Sequence, residues 1–102
     1  MREYVPKGFD KSSYRIISAV IKQYPLLEKE ARQVKLKGLK LLKFKSVCGA
    51  LGMFSDFEKS VIRQRFFDGF SIIHIDAPFC EKDKQKICAA FVREVGKRLG
   101  EI

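Results

Sequence analysis

The helix start and stop signals in residues 55–69 constrain the fold of this chain more than any other feature. Ser55 and Glu58 have the spacing of a capping box, in which each side chain accepts a hydrogen bond from the other residue's backbone amide. Gly69 stands where the helix should end, because glycine adopts the left-handed conformation of a helix terminus without steric cost. The apolar residues between them recur at the three- and four-residue steps of a helix with one buried face: Phe57, Val61, Ile62 and Phe66.

The signals that follow predict a short helix and then a long one. Ser71 can cap a helix over residues 72–76, and Pro78 ends the connection after it. A final helix is expected over residues 81–99, with an apolar stripe at four-residue steps: Ile87, Phe91, Val95 and Leu99. Short helices joined by a tight turn before a long, exposed, basic helix are the plan of a helix-turn-helix DNA-binding protein. This part of the chain therefore points to nucleic acid rather than to catalysis.

The first half of the chain is also expected to be helical. A helix capped by Asp10 or Ser12 is predicted to run to about Tyr24, and Pro25 suits the first residue of a second helix. Gly38 weakens helical continuity, so the leucine-rich stretch that follows it is expected to begin a new helix.

Length and composition indicate one folded domain. The 102 residues are 46% hydrophobic and include nine Phe, which is enough material for a single modest core. No segment alternates apolar and polar residues for long enough to predict a strand. We therefore expect an all-α fold, a small helical domain with a carboxyl-terminal helix-turn-helix. Residues 1–50 would form a basic helical amino-terminal segment and residues 51–102 the DNA-binding segment of one compact domain.

Several functional classes are disfavoured by the sequence. The apolar runs are short, so no membrane span is predicted, and the amino terminus lacks the apolar core of a signal peptide. Three cysteines without paired spacing and a single histidine argue against a disulfide framework and a zinc site. A nucleophile pair of Cys80 and His74 would lack an orienting third group. Cys80 and Cys88 are expected to be small apolar residues that fill space in the core. We expect no catalytic residues, no metal and no cofactor in a cytoplasmic protein.

The net charge of +9 is concentrated in the first half of the chain. Residues 1–50 hold 12 Lys/Arg and 4 Asp/Glu, whereas residues 51–102 hold nine and eight. Phosphates that are neutralised by such a basic region release counterions, which favours binding to DNA of any sequence. The alternative is a solvated helix face, with lysines outward and the interleaved leucines packed inward. The predicted phosphate contacts form a run without a single acid: Arg32, Lys35, Lys37, Lys40, Lys43 and Lys45.

The first turns of the final helix carry the residues that are expected to read bases. In helix-turn-helix proteins these turns enter the major groove. Gln can pair with adenine there, and Lys can reach either guanine or a phosphate. The predicted base-reading residues are Lys82, Gln85 and Lys86, and Ser71 is a further expected phosphate contact.

Residues 57–99 resemble the helix-turn-helix at the carboxyl end of bacterial sigma factors. The wider chain is similar to RinA/ArpU-type phage late-gene activators, through Tyr24-Pro25, the Leu/Phe/Lys helix of residues 40–46, and Arg98 to Glu101 at the end. Two residues depart from the family pattern: Cys80 replaces the usual Ser or Thr cap, and Lys84 replaces an apolar residue that often faces the core. The residues that match the sigma-like pattern are Glu58, Val61, Ile62, Arg65, Phe66, Gly69, Ser71 and Ile75.

This resemblance implies a phage-encoded regulator that binds double-stranded DNA in a bacterial host cell and activates late genes. It also implies RNA polymerase as a second partner. Two alternatives stay open. One is a DNA-packaging subunit of the small-terminase type, which would form a homo-oligomer. The other is a sigma-mimicking adaptor that binds polymerase without reading DNA, and the near-neutral charge of residues 51–102 is compatible with it.

Overall fold

A computed structural model describes residues 10–100 of the chain. Within that range a π-helical turn, Arg63–Phe67, continues the third α-helix, and a 3-10 turn, Ile72–His74, precedes the fourth. No β-strand occurs among these residues, so the predicted all-α fold is confirmed. The α-helices are α1, Lys11–Gln33; α2, Gly38–Leu51; α3, Asp56–Ile62; and α4, Glu81–Leu99.

Helix α1 continues through Pro25, so the predicted break before this residue is wrong. A proline inside a helix removes one backbone hydrogen bond and costs about 3 kcal/mol. Packing on both sides of α1 offsets that cost. The Tyr24 ring stacks on Phe44 of α2 and on Phe67 of the π-helical turn, with 5.6 Å between ring centroids in each pair. The tertiary contacts therefore hold both halves of α1 in one helix.

Helix α2 begins at Gly38, as predicted, but only some of its apolar residues are buried. Val47 is fully buried, and the predicted inward packing of the leucines holds for Leu36 in the connection between α1 and α2. Leu39 and Leu42 are 64% and 46% exposed, contrary to the expectation. The reason is that α1 and α4, the helices that pack against α2, cover only one of its sides.

Helix α3 begins with the predicted capping box. The Ser55 hydroxyl accepts from the Glu58 amide at 3.3 Å, and the Glu58 carboxylate accepts from the Ser55 amide at 3.0 Å. Val61 and Ile62 are fully buried. Phe57 is 63% exposed, so its predicted place on the buried face is wrong. It lies in the first turn, at the margin of the core.

The π-helical turn ends at a glycine, as the sequence predicts. The Asp68 amide donates to the Arg63 carbonyl at 3.0 Å, a π-type bond that spans one residue more than an α-helical bond does. Gly69 has a φ of +79°, and the Phe70 amide donates back to the Gln64 carbonyl at 2.9 Å. This six-to-one bond satisfies a carbonyl that the helix end would otherwise leave unpaired.

The short helix before α4 is a single 3-10 turn, which is shorter than the predicted span of residues 72–76. The residue after the turn, Ile75, has extended backbone and a buried side chain. The Ser71 hydroxyl does not bind a backbone amide of the turn. It lies 2.6 Å from His74 Nδ1 instead. Burying Ile75 against the core takes precedence over extending the helix.

Helix α4 occupies the centre of the core. Helices α1, α2 and α3 all pack against it. The Phe91 ring is fully buried and contacts Phe54 edge-on at 6.1 Å and Phe66 at 5.7 Å between centroids. Phe66 itself is half-buried, less enclosed than the sequence predicts. The largest fully buried side chains come from α1, α2, α3 and α4: Ile17, Ile21, Val47, Val61, Ile62, Phe91, Val92 and Val95.

Replacing Phe91 by Ala should remove about 3–5 kcal/mol from the free energy of unfolding, because it leaves a cavity at the point where the helices meet. Phe57→Ala is the matched control. Its ring is mostly exposed, so the change should cost only about 0.5 kcal/mol. Urea denaturation followed by circular dichroism measures both. Equal costs for the two variants would contradict this packing.

Candidate nucleic-acid interface

Helix α4 carries a line of basic side chains on the face opposite its buried stripe. At 3.6 residues per turn, these side chains fall within about 60° of the helix circumference and extend over about 22 Å. All of them are exposed. We call this set the α4 basic stripe: Lys82, Lys86, Arg93 and Lys97. Arg93 and Lys97 are not among the residues predicted from the sequence, although their helical spacing from Lys82 is a signal that identifies them.

The predicted base-reading residues lie together on the first two turns of α4. Lys82 and Lys86 belong to the α4 basic stripe, and Gln85 is exposed on one side of it. Gln85 also lines a cavity that is lined by Arg65 as well. The three residues are accessible to a macromolecular partner, and the assignment of base contacts to them stays a prediction.

Acidic residues share the first turn of α4 with these lysines. Glu81 and Asp83 lie near the positive end of the helix dipole, where a carboxylate is favourable. Cys80, the residue before the helix, makes no side-chain capping bond, as its replacement of a Ser or Thr implies. The carboxylates offset the charge of the nearby lysines. They therefore reduce the net positive charge of the first turn of α4.

Lys84 faces inward, at the position where the sigma-like pattern has an apolar residue. Only 8% of the residue is exposed, although its first-turn neighbours are open to solvent. Its ammonium group donates to the Ile75 carbonyl at 2.6 Å. This bond ties the first turn of α4 to the chain that precedes it. Lys84 is therefore a structural residue and contributes no charge to the exposed face of α4.

Two further hydrogen bonds join the π-helical turn to the connection that precedes α4. The Gln64 side-chain carbonyl accepts from the Asp76 amide at 2.9 Å, and its amide donates to the Asp76 carbonyl at 2.9 Å. The Gln64 amide also lies 3.0 Å from the Ser60 hydroxyl. These contacts satisfy the backbone of a connection without regular structure and fix the position of α4 relative to α3. The sequence gives no signal for them.

The basic run of residues 32–45 is partly engaged in packing. Arg32 pairs with Glu28 at 3.6 Å, Lys40 pairs with Glu30 at 2.8 Å, and the Lys43 ammonium donates to the Gln23 side chain at 3.4 Å. The last two contacts join α2 to α1. These lysines therefore have a structural role, whereas the sequence predicted only phosphate contacts for them. The remaining members are exposed and make no such contact with residues 10–100: Lys35, Lys37 and Lys45.

The start of the basic run, at Arg32, and the predicted base-reading residues lie at different ends of α1. Tyr14 lines the same cavity as Gln85, which places the start of α1 beside the start of α4. Arg32 follows Tyr14 by 18 residues, or about 27 Å along a helix. Ser71 lies on the side of the base-reading residues, because the 3-10 turn packs on α4. The predicted contacts therefore fall into two separate regions.

The sulfhydryl groups differ in environment. Burial raises the pKa of the Cys88 thiol to about 11, and the nearby Arg65 charge opposes this shift only in part. The thiol is therefore protonated at neutral pH and fills space in the core, as the sequence predicts. Cys80 is exposed, so the same prediction is wrong for it. His74 contacts Ser71, and within residues 10–100 no cluster of three or more His, Cys, Asp or Glu side chains could hold a metal ion.

Comparisons of the chain with protein-family models, with curated proteins and with solved structures each found no match. The likeness to sigma factors and to phage activators therefore depends on the matching residues alone. None of the helices within residues 10–100 is long and apolar enough to cross a lipid bilayer.

Lys84→Ala should lower the free energy of unfolding by about 2–4 kcal/mol, since it removes a packed side chain and leaves the Ile75 carbonyl without its donor. Lys82→Ala changes the same residue type two positions earlier, on the exposed face, and should cost at most about 0.5 kcal/mol. Urea titrations of the two variants and the parent protein give the comparison. A Lys84 variant as stable as the Lys82 variant would refute the structural role.

Proposed function

We propose that this protein binds double-stranded DNA by placing α4 in the major groove and that it regulates transcription. The α4 basic stripe is the observation that carries the proposal. A helix that is buried along one face and basic along the other is held rigidly and presents its charge outward. A helix with its side chains is about 10–12 Å across, which matches the roughly 12 Å width of the major groove.

Within the proposed interface, the two ends of α4 contact different parts of the DNA. Lys82, Gln85 and Lys86 contact base edges, because the first turns of a recognition helix enter the groove. Arg93 and Lys97 contact phosphates, which fixes the position of the helix without reading sequence. This division agrees with the carboxylates in the first turn, which weaken nonspecific attraction there.

The basic run supplies a second, sequence-independent contact in this proposal. Lys35, Lys37 and Lys45 have no ion-pair partner within residues 10–100 and are available to phosphates. For Lys35 and Lys37, which follow the end of α1, the separation of about 27 Å along α1 corresponds to about eight base pairs, at 3.4 Å per base pair. Lys40 and Lys43 contribute less, because they already bind side chains of α1.

By resemblance, the regulator is an activator of phage late genes with RNA polymerase as its second partner. The packaging alternative is favoured by one observation, the exposure of Leu26, Leu39 and Leu42 on α1 and α2. Exposed leucines suit contact with another protein chain. Mass in solution separates the readings, since a ring of many chains supports packaging and a monomer or dimer supports regulation.

Neutralising the far end of the α4 basic stripe should reduce the salt dependence of DNA binding. If Arg93 and Lys97 each neutralise a phosphate, the double change to Gln should reduce the slope of log affinity against log salt by about 1.8. Fluorescence anisotropy with a labelled duplex at several salt concentrations measures the slope. The double change Lys35→Gln and Lys37→Gln tests the basic run in the same way.

The control for net charge is the double change Lys22→Gln and Lys29→Gln, at two exposed lysines of α1. It removes the same charge and should leave the slope nearly unchanged. A control slope that falls as far as the α4 slope would mean that only overall charge matters. An α4 variant with the parent slope would place the DNA elsewhere.

Gln85→Ala should change sequence preference while leaving nonspecific affinity nearly intact, because a neutral amide adds no attraction to phosphates. The expected loss is about 1–3 kcal/mol of discrimination at one base position. Genomic fragments captured by the protein and sequenced supply the preferred site. Competition with its single-base variants then measures preference. Gln33→Ala, at an exposed glutamine of α1, is the matched control. An unchanged preference would exclude Gln85 as a base reader.

A further inference from the structure

A cavity lies between the π-helical turn, the 3-10 turn, the start of α1 and one side of α4. Its volume is about 240 Å³. An engineered cavity of about 150 Å³ is enough to hold benzene, so this one has room for a single-ring molecule with a polar substituent. Gln85 is exposed and yet lines the cavity, which therefore opens to solvent. The other lining residues are Tyr14, Arg65, Phe66, Ile72, Cys88, Ala89 and Val92.

The lining combines an apolar interior with one charge. Of the apolar lining residues, Tyr14, Cys88 and Val92 are buried, and Phe66 and Ile72 are half-buried. Arg65 and Gln85 contribute the polar groups that can donate hydrogen bonds to a ligand. A mostly apolar pocket with a few convergent polar groups is the usual composition of a small-molecule site.

Arg65 has no acidic partner in the described part of the chain. Its guanidinium group makes one long hydrogen bond, 3.4 Å to the Phe70 carbonyl, and no carboxylate of residues 10–100 lies within 4 Å of it. Arg65 and Cys88 line the same cavity, so this charge lies at the cavity wall. The guanidinium group retains donors in the planar geometry that binds a carboxylate through two parallel hydrogen bonds.

The backbone of the π-helical turn helps to place these groups. Arg65 and Phe66 are consecutive residues of the turn, and both line the cavity. Wide turns of this type are frequent at functional sites, where they change the direction of side chains relative to an α-helix. The turn is fixed at its end by the Gly69 conformation and the bond from Phe70 to Gln64, so the position of Arg65 is set before a ligand binds.

From these observations we propose that the cavity binds a small monocarboxylic acid with a single-ring apolar body. The carboxylate pairs with Arg65 and is contacted by Gln85, and the ring lies against Phe66, Ile72 and Val92. A single guanidinium group balances one negative charge, which favours a carboxylate over a phosphate dianion. Gln85 also belongs to the proposed DNA contacts, so the cavity is tested in the absence of DNA, where its result does not depend on the proposed DNA binding.

Titration of the full-length protein with sodium benzoate, followed by two-dimensional NMR, tests the proposal. Saturable shifts are expected at the side chains of Arg65, Gln85 and Ala89, with a dissociation constant below about 1 mM. Benzamide has the same shape without the charge and should bind at least about tenfold more weakly. Inorganic phosphate should produce no saturable shift in the cavity.

Two variants test the site itself. Arg65→Gln should weaken benzoate binding at least about tenfold, and Arg63→Gln, which removes a charge from the same turn outside the cavity, should leave it unchanged. Ala89→Leu should fill the cavity and abolish benzoate binding. This variant tests the site if the Arg65 variant does not fold. The proposal is overturned if benzoate shifts only the α4 basic stripe, if benzamide or phosphate binds as well as benzoate, or if neither Arg65→Gln nor Ala89→Leu reduces binding.

Discussion

The burial of α4 along one face is the constraint on which the rest of this structure depends. Phe91 fills the centre of the core between Phe54 and Phe66, and α1, α2 and α3 all pack against α4. Since one face of α4 is taken up in this way, the rotation of the helix about its axis is fixed. The basic side chains must then point away from the core, and the proposed interface is a consequence of how the core is packed.

The rotation of α4 is fixed by the core, whereas the position of its first turn is fixed by polar contacts. Lys84 binds the Ile75 carbonyl, and Gln64 binds both backbone groups of Asp76. These bonds replace the hydrogen bonds that a longer helix would provide in the same place. A single 3-10 turn is therefore sufficient before α4, since the adjoining chain is held by side chains from both neighbouring elements.

Local sequence signals predicted several helix boundaries correctly, but they could not reveal the tertiary contacts. The capping box at Ser55, the end at Gly69 and the bounds of α4 follow from short-range chemistry that any chain with these residues shares. The sequence could not show that stacking of Tyr24 keeps α1 intact through Pro25. For the site, helical spacing predicted the exposed first turns of α4. Lysine is usually exposed, and the inward position of Lys84 could not be predicted because its partner is a carbonyl nine residues earlier in the chain.

The unbroken length of α1 gives the proposed DNA complex a property that neither basic region has alone. Because one helix separates the two regions, their spacing is set by its number of turns. The protein would then select DNA sites by the distance between the bases that α4 contacts and the phosphates that the basic run contacts. Two extra turns in α1, about seven residues, would preserve the helix face and shift that distance by about 10 Å, or three base pairs. Spacing could thus evolve independently of the bases that are read.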